Sequence, residues 1–256
     1  MKIKIFGIDI DNYSFEEVVN LIIQHALHQK TPQYVVTPNA HHLVKLQQDK
    51  EFRDVYRHAF LSVPDGVPLL WVAKLQNTPL KGRVNGTDLL QRLCVEAANQ
   101  GLKVFFLGGR PNAAEQAVNI LVQQNPQLKV AGFYSPPYGF ETDRVELAKI
   151  NQMIKVAQPD LLFVGLGAPK QEKWMAANYQ ELGVPVSLGI GVSFELVAGV
   201  VARAPVWMQK AGLEWLFRFY VEPRRLFWRT LIINTTFIWL LVKQQFSKSK
   251  LKFKAN

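Results

Sequence analysis

The sequence predicts an α/β protein: a mostly parallel sheet with helices on both faces, followed by a helical C-terminal appendage. Three observations predict it. Short, continuous apolar runs recur as candidate strands, helix-period segments separate them, and the alternation stops near Arg203. Strands that are apolar on both sides need helices over both faces of their sheet, and that is the habit of parallel sheets. The expected organisation is a core domain, residues 1–202, and an appendage, residues 203–256.

The elements follow in order. Residues 2–10 read as a strand, and Ser14-Phe15-Glu16-Glu17 has capping-box spacing at the head of a helix running to about Gln29. Tyr34-Val35-Val36-Thr37 is a short strand ending in Pro38-Asn39, with one long helix expected from there through His58. Residues 60–63 form a strand ending at Pro64-Asp65-Gly66. Thr87 is placed as the cap of a helix reaching Asn99, before the buried strand 103–107 and its Gly108-Gly109. A helix over 112–124, a strand over 128–133 and a helix over 143–157 come next. Strand 160–164 ends in Gly165-Leu166-Gly167, and strand 184–188 ends in Gly189-Ile190-Gly191 after an intervening helix.

Composition narrows the class. The chain has 256 residues, 48% of them hydrophobic, and a single cysteine, Cys94, which excludes an intramolecular disulfide and fits a reducing compartment. The N-terminal apolar run is too short for a signal sequence and acids interrupt it, so the protein is expected to face the cytoplasm. The net charge of +10 is uneven. From Arg203 onward there are 11 Lys and Arg against Glu214 and Glu222, a net of +9, which leaves +1 for the preceding residues. The basic tail is also rich in Trp, Phe, Leu and Ile, which favours an anionic membrane surface over nucleic acid.

In open parallel sheets ligands bind outside the carboxyl ends of the strands. Thr37-Pro38-Asn39, Asp65-Gly66, Gly108-Gly109, Gly165 to Gly167 and Gly189 to Gly191 all lie at strand ends, so they are expected to share one edge. No G-x-x-x-x-G-K-[ST] loop and no complete G-x-G-x-x-G fingerprint exists, which argues against P-loop NTPases and nicotinamide dehydrogenases. His25 and His28 lack a third ligand and read as half-exposed helix residues. Asp9-Ile10-Asp11 has the D-x-D spacing of diphosphate-holding metal sites, but reads better as a turn. No metal site or cofactor is expected.

Asp65 has two readings that the residues alone leave even. A strand-end carboxylate beside apolar residues can serve as a general base; it can equally cap the helix that starts near Val67, where Pro68 suits a first turn. Asn39 is either a polar site group or a helix N-cap, and Arg83 either a phosphate grip or a surface arginine. The helix opening at Ala168-Pro169-Lys170-Gln171-Glu172, straight after glycines, offers N–H groups and a dipole to an anion.

These segments resemble a known family. Thr37-Pro38-Asn39, Pro64-Asp65-Gly66, Arg83 with Gly86 and Asp88, Phe106-Leu107-Gly108-Gly109 and residues 165–174 are similar to blocks of the WecG/TagA/CpsF glycosyltransferases (glycosyltransferase family 26). So are Arg203-Ala204-Pro205 with Trp207, Gly212-Leu213-Glu214-Trp215 and Glu222-Pro223-Arg224-Arg225, in order along the chain. The resemblance implies a Rossmann-like, metal-independent, inverting enzyme of cell-surface polysaccharide or teichoic acid synthesis. Such an enzyme moves an N-acetylmannosamine-type or related sugar from a UDP-sugar to a polyprenyl-diphosphate-linked sugar. Carried over by position, Asp65 matches the base, and Thr37, Asn39, Arg83 and Gln171 match sugar- or diphosphate-contacting residues. Glu195 stands where the family more often has Asp, and is expected to meet ribose or uracil. The competing reading is a non-catalytic nucleotide-sugar-binding protein on the membrane.

Residues 226–242 form a 17-residue apolar stretch interrupted by Arg229, Asn234 and threonines, short for a span. An interfacial helix on the cytoplasmic face is the expectation, with a core or oligomer helix and a span as alternatives. The family resemblance makes Arg203, Arg218, Arg224 and Arg225 candidates for the acceptor diphosphate, each being equally a lipid-headgroup anchor. A homo-oligomer is compatible with this reading.

Overall fold

A computed structural model describes residues 1–221, 223, 233 and 235–243. The chain begins with an antiparallel hairpin, β1 Lys2–Ile5 and β2 Ile8–Asp11. One continuous strand was expected here, but Phe6 and Gly7 both take positive φ (47° and 82°), as a tight two-residue hairpin turn requires. The Asp9-Ile10-Asp11 triplet is accordingly strand, not turn. Asp11 is buried, and its carboxylate accepts from the Ser62 N–H at 2.9 Å, tying the hairpin to the main sheet.

That sheet has six strands, all parallel: β3 Gln33–Val36, β4 Leu61–Ser62, β5 Lys103–Gly108, β6 Lys129–Tyr134, β7 Leu161–Gly165 and β8 Val186–Gly189. Their spatial order is β4-β3-β8-β7-β5-β6. From the centre the chain runs outward twice, β3 to β4 on one side and β5 to β6 on the other. A crevice therefore opens over the carboxyl ends of the central strands, the ligand position in such sheets.

Alternation along the strands feeds two cores. Tyr34, Val36, Phe105, Leu107, Leu162 and Val164 face one cluster, and Val35, Val104, Phe106, Leu161, Phe163 and Leu188 face the other. The second cluster is closed by helices Phe15–Gln24, Gly86–Gln100 and Ala113–Gln124. Helices Lys50–His58, Val67–Leu75, Arg144–Ala157 and Lys170–Leu182 close the first, together with the hairpin.

The Ser14–Glu17 capping box forms as its spacing predicts, with both reciprocal bonds present. The long helix expected after Asn39 is two, Ala40–Lys45 and Lys50–His58, because Asp49 starts a second N-terminus by accepting from the Phe52 N–H at 2.9 Å. Arg53 fills the break by donating to the Leu46 and Gln47 carbonyls.

Beyond Gly189 the short helices Ser193–Val197 and Val206–Lys210 lead to Glu214–Val221. Gly212, at φ 75°, lets this segment lie against the core: a β-carbon there would stand 2.8 Å from that of Val67. Residues 235–243 are helical and return Phe237 and Leu240 to the first core, where the Phe237 ring meets Phe6 edge-on at 5.5 Å. Their opposite face exposes Ile238, Trp239 and Val242. Among the described residues no helix is long and apolar enough to cross a membrane.

Candidate active site

The strand-end segments do meet. The Asp65 N–H bonds the Pro38 carbonyl at 2.8 Å and the Val84 N–H bonds the Pro64 carbonyl at 2.8 Å, so loops 37–39, 64–66 and 83–85 form one wall. The Thr37 hydroxyl, buried, donates to the Gly189 carbonyl at 2.9 Å and joins the end of β3 to that of β8. On the β5 side the Gly109 N–H bonds the Gly165 carbonyl at 2.8 Å. Here only glycine fits: a β-carbon on Gly108, itself at φ 111°, would lie 2.5 Å from that carbonyl oxygen.

Asp65 does not cap the following helix. Gly66 holds the N-cap position, with no side-chain cap bond. The Asp65 carboxylate is half-buried and accepts from Asn85 Nδ2 at 3.0 Å. Burial pushes it up to about 6; Arg83 pulls it down, Glu214 pushes it up, and Asn85 and His42 pull it down. A carboxyl at that value is largely ionised at neutral pH yet more basic than an ordinary Asp, the compromise a general base needs.

Arg83 lies in the same wall, with Nη1 2.6 Å from Glu214 Oε2 and 3.4 Å from the Gln209 carbonyl. It is not a free surface arginine. Asn39 accepts from the His41 and His42 N–H groups at 3.0 and 3.3 Å through Oδ1, the cap reading, which leaves its Nδ2 as the group it can offer. The ring of His42 completes the capping box by accepting from the Asn39 N–H at 3.0 Å through Nδ1. Its proton must then sit on Nε2, which lies 3.5 Å from Glu172 Oε1. Neither His42 nor Glu172 was anticipated as part of the site; the signals were a histidine at N3 of a capped helix and a glutamate beside Gln171.

Gln171 is spent on the protein. Its Oε1 accepts from the Gly167 N–H at 3.2 Å and the Gly191 N–H at 3.0 Å, and its Nε2 donates to Glu172 at 2.6 Å. Gln171 thus braces two glycine turns. The first of these bonds occupies the Gly167 N–H, at the glycine turn before the helix that was expected to offer N–H groups to an anion. Glu195 is buried and uses Oε1 to hold the Arg110 N–H at 3.0 Å, whereas its buried Oε2 has no hydrogen-bond partner. An acceptor without a hydrogen-bond partner is thus buried near the end of β5.

The other predicted cations distribute differently. Arg203 pairs with Asp88 at 2.5 Å, across the first turn of helix Gly86–Gln100. Arg218 lies on helix Glu214–Val221, of which only its backbone is described, and Arg224 and Arg225 lie outside the described residues. His25 is buried rather than half-exposed, its Nε2–H donating to the Thr31 carbonyl at 2.7 Å, while His28 is exposed. No group of three or more His, Cys, Asp or Glu among the described residues is arranged to hold a metal ion.

Known proteins are similar to this chain over most of its length. A protein of Bacillus subtilis (strain 168), named N-acetylglucosaminyldiphosphoundecaprenol N-acetyl-beta-D-mannosaminyltransferase, is 29% identical over 95% of this chain and 92% of its own. Proteins of the same name from Bacillus spizizenii and Staphylococcus aureus (strain NCTC 8325) are each 28% identical over 88% of this chain, and over 84% and 87% of their own. The model of the Glycosyl transferase WecG/TagA/CpsF family matches residues 3–251. The chain belongs to the WecG/TagA/CpsF family of glycosyl transferases.

Proposed function

We propose that this protein is a hexosyltransferase that moves an N-acetylmannosamine-type or related sugar from UDP to a polyprenyl-diphosphate-linked sugar at the cytoplasmic membrane surface. The names of the relatives support the acceptor class, since each describes a mannosaminyl transfer to a diphosphoundecaprenol-linked sugar. The observation that carries the mechanism is Asp65. It is a half-buried carboxylate held as an acceptor by Asn85 and raised to about 6, at the crevice where a parallel sheet binds ligands.

In this scheme Asp65 takes the proton of the acceptor hydroxyl. The oxygen attacks the anomeric carbon as its bond to the β-phosphate oxygen breaks, inverting the configuration and releasing UDP. Positive character on the sugar ring is expected by analogy with glycoside hydrolysis. Charge on the departing diphosphate is met by Arg83 and by backbone N–H groups. Glu195 Oε2, the buried acceptor without a partner, suits a ribose hydroxyl or the uracil N–H. Thr37 and Asn39 line the sugar side.

The basic tail and its apolar face bring the enzyme to the membrane. Val206, Trp207, Trp215, Leu216 and Tyr220 are exposed, as are Ile238 and Trp239, on a segment that carries most of the net charge. The test is turnover with a panel of UDP-sugars and a short-chain polyprenyl-diphosphate acceptor, with and without EDTA. Turnover that survives EDTA and is lost in Asp65→Asn is expected. Tight UDP binding with no transfer to any acceptor would instead mark a nucleotide-sugar-binding protein.

A further inference from the structure

We propose that the buried hydroxyls of Thr87 and Ser193 form a positioning pair that ties the base, Asp65, to the nucleotide side of the site, at Glu195. The proposal rests on the reading of Asp65 as the base and of Glu195 as a nucleotide contact. Its geometry is an unbroken run of hydrogen bonds between segments remote in sequence. Asp65 Oδ1 accepts from Asn85 Nδ2 at 3.0 Å, and Asn85 Oδ1 accepts from the Thr87 N–H at 3.0 Å. The Thr87 hydroxyl donates to Ser193 Oγ at 3.0 Å, and the Ser193 hydroxyl donates to the Ile190 carbonyl at 2.6 Å. Thr87 and Ser193 are both buried. Gly86 packs on the same turn: a β-carbon there would stand 3.4 Å from the Ile190 carbonyl oxygen and 3.6 Å from Ser193 Oγ.

The direction of each bond is fixed. A carbonyl only accepts, so Ser193 directs its proton at Ile190 and receives Thr87 through a lone pair. Hydrogen bonds in series strengthen one another away from water. The pair matters because the helix that carries Glu195 cannot hold itself. Helix Ser193–Val197 has 5 residues, its N-cap position is Val192 with no side-chain bond, and Glu195 lies in its first turn. A helix that short is set by tertiary contacts rather than by its own backbone. Ser193 makes one such contact where the helix starts, and Glu195 Oε1 makes another on the Arg110 N–H. Thr87, at the head of helix Gly86–Gln100, is fixed by the same Asn85 cap that faces Asp65. Without the Ser193 hydroxyl, the Thr87 O–H is buried with no acceptor, and without Thr87 the Glu195 helix loses its tie to the Asn85 cap. Either loss lets the two sides shift independently, so a change made on one side is felt on the other.

UDP affinity by calorimetry, and kcat with a UDP-sugar and a short polyprenyl-diphosphate acceptor, test this in the full chain well below Tm. Thr87→Val keeps the side-chain shape and removes the hydroxyl on the base side. It should weaken UDP binding by about fivefold, the scale of one hydrogen bond. Ser193→Ala removes the hydroxyl on the nucleotide side and should lower kcat at saturating substrate by about tenfold, as a small misplacement of the base does. Thr87→Ser, which keeps the hydroxyl, should return UDP binding to near the wild-type value. The double variant should bind UDP no more weakly than Ser193→Ala alone, because the two groups share a single bond. A purely structural pair would lower Tm and leave both readouts in place. Unchanged UDP affinity in Thr87→Val, or unchanged kcat in Ser193→Ala, therefore overturns the proposal, as do losses that multiply in the double variant. Failure of the underlying reading shows elsewhere: UDP affinity unchanged in Glu195→Ala removes the nucleotide contact, and turnover that survives Asp65→Asn removes the base.

Discussion

Asn85 and Asp65 are locked to each other by the direction of one amide. Asn85 Oδ1 accepts from the Thr87 and Asp88 N–H groups at 3.0 and 3.3 Å, capping helix Gly86–Gln100, so its Nδ2 must face Asp65 Oδ1, at 3.0 Å. A backbone N–H can only donate, so the helix itself decides which end of the amide meets the carboxylate. The orientation favours an ionised Asp65, the form that accepts a proton.

Asn85→Asp therefore tests whether this contact sets the working pH. Aspartate caps a helix as well as asparagine does, so the helix start should survive. The donor facing Asp65 becomes a second carboxylate, which raises the proton affinity of Asp65. The acid limb of the pH–rate profile should rise above its expected place near 6, with a slow reaction at pH 6–7 that recovers at higher pH. A limb that stays put or falls would show that Asn85 does not tune the base.

Asp65 should also cost the protein stability. Its carboxyl sits at about 6 in the folded chain against an ordinary value of 3.8, so the native state binds the proton more tightly than the unfolded one. That contribution is fully present below about 3.8 and is lost as the pH rises through about 6. Asp65→Asn removes a half-buried charge at neutral pH, so it should raise Tm at pH 7.5, and the gain should vanish near pH 4. Transfer should fall by about 100-fold or more, the usual contribution of a positioned base. A variant equally stable at both pH values would mean that Asp65 is better solvated than its surroundings indicate.

Glu172 should be structural with a catalytic consequence. It is fully buried, accepts from Gln171 Nε2 at 2.6 Å and faces His42 Nε2 at 3.5 Å, while its Oε2 has no hydrogen-bond partner. Glu172→Ala strands the Gln171 amide and removes the carboxylate facing His42 Nε2, which has no hydrogen-bond partner, and should cost about 3 kcal/mol, read as a lower midpoint in denaturant. Glu172→Gln keeps an oxygen for the Gln171 amide and should cost clearly less. Because Gln171 braces Gly167 and Gly191, donor KM should rise more than kcat falls in both variants. Equal stability losses in the two would sink the pairing.

Much of this site was legible because strands end where ligands bind. Thr37, Asn39, Asp65 and the glycine pairs announce themselves through the switch from an apolar run to Gly, Pro or Asn, and the parallel sheet then gathers them on one edge. What escaped depends on pairing across long sequence separations. Nothing near Arg83 points to Glu214, and nothing near Gln171 shows that its amide is consumed by two glycine N–H groups. The cap of helix Gly86–Gln100 is Asn85 rather than Thr87, whose hydroxyl donates to Ser193 Oγ at 3.0 Å. Local capping preference cannot separate neighbours of similar chemistry when tertiary partners decide. The hairpin was hidden because only Phe6-Gly7 separates the two alternating runs; its one mark in the sequence is the phase flip there, Ile3 and Ile5 against Ile8 and Ile10.

The two faces of the helical residues 235–243 should answer to different experiments. Phe237 and Leu240 are buried against the hairpin, whereas Ile238 and Trp239 are more than half exposed, with Lys243 Nζ 4.9 Å from the Trp239 ring centre. Phe237→Ala removes a packed ring that touches Phe6 and should cost about 2–3 kcal/mol, seen as a lower Tm. Replacing Ile238 and Trp239 with serine leaves the core intact and should leave Tm unchanged. It should weaken binding to vesicles that contain anionic lipid, because an apolar face in the interface supplies the part of the affinity that salt does not screen. Raising salt should then release the double variant more completely than the wild type. If the double variant binds vesicles as tightly as the wild type at both salt levels, this face does not meet the membrane, and the attraction comes from the basic residues alone.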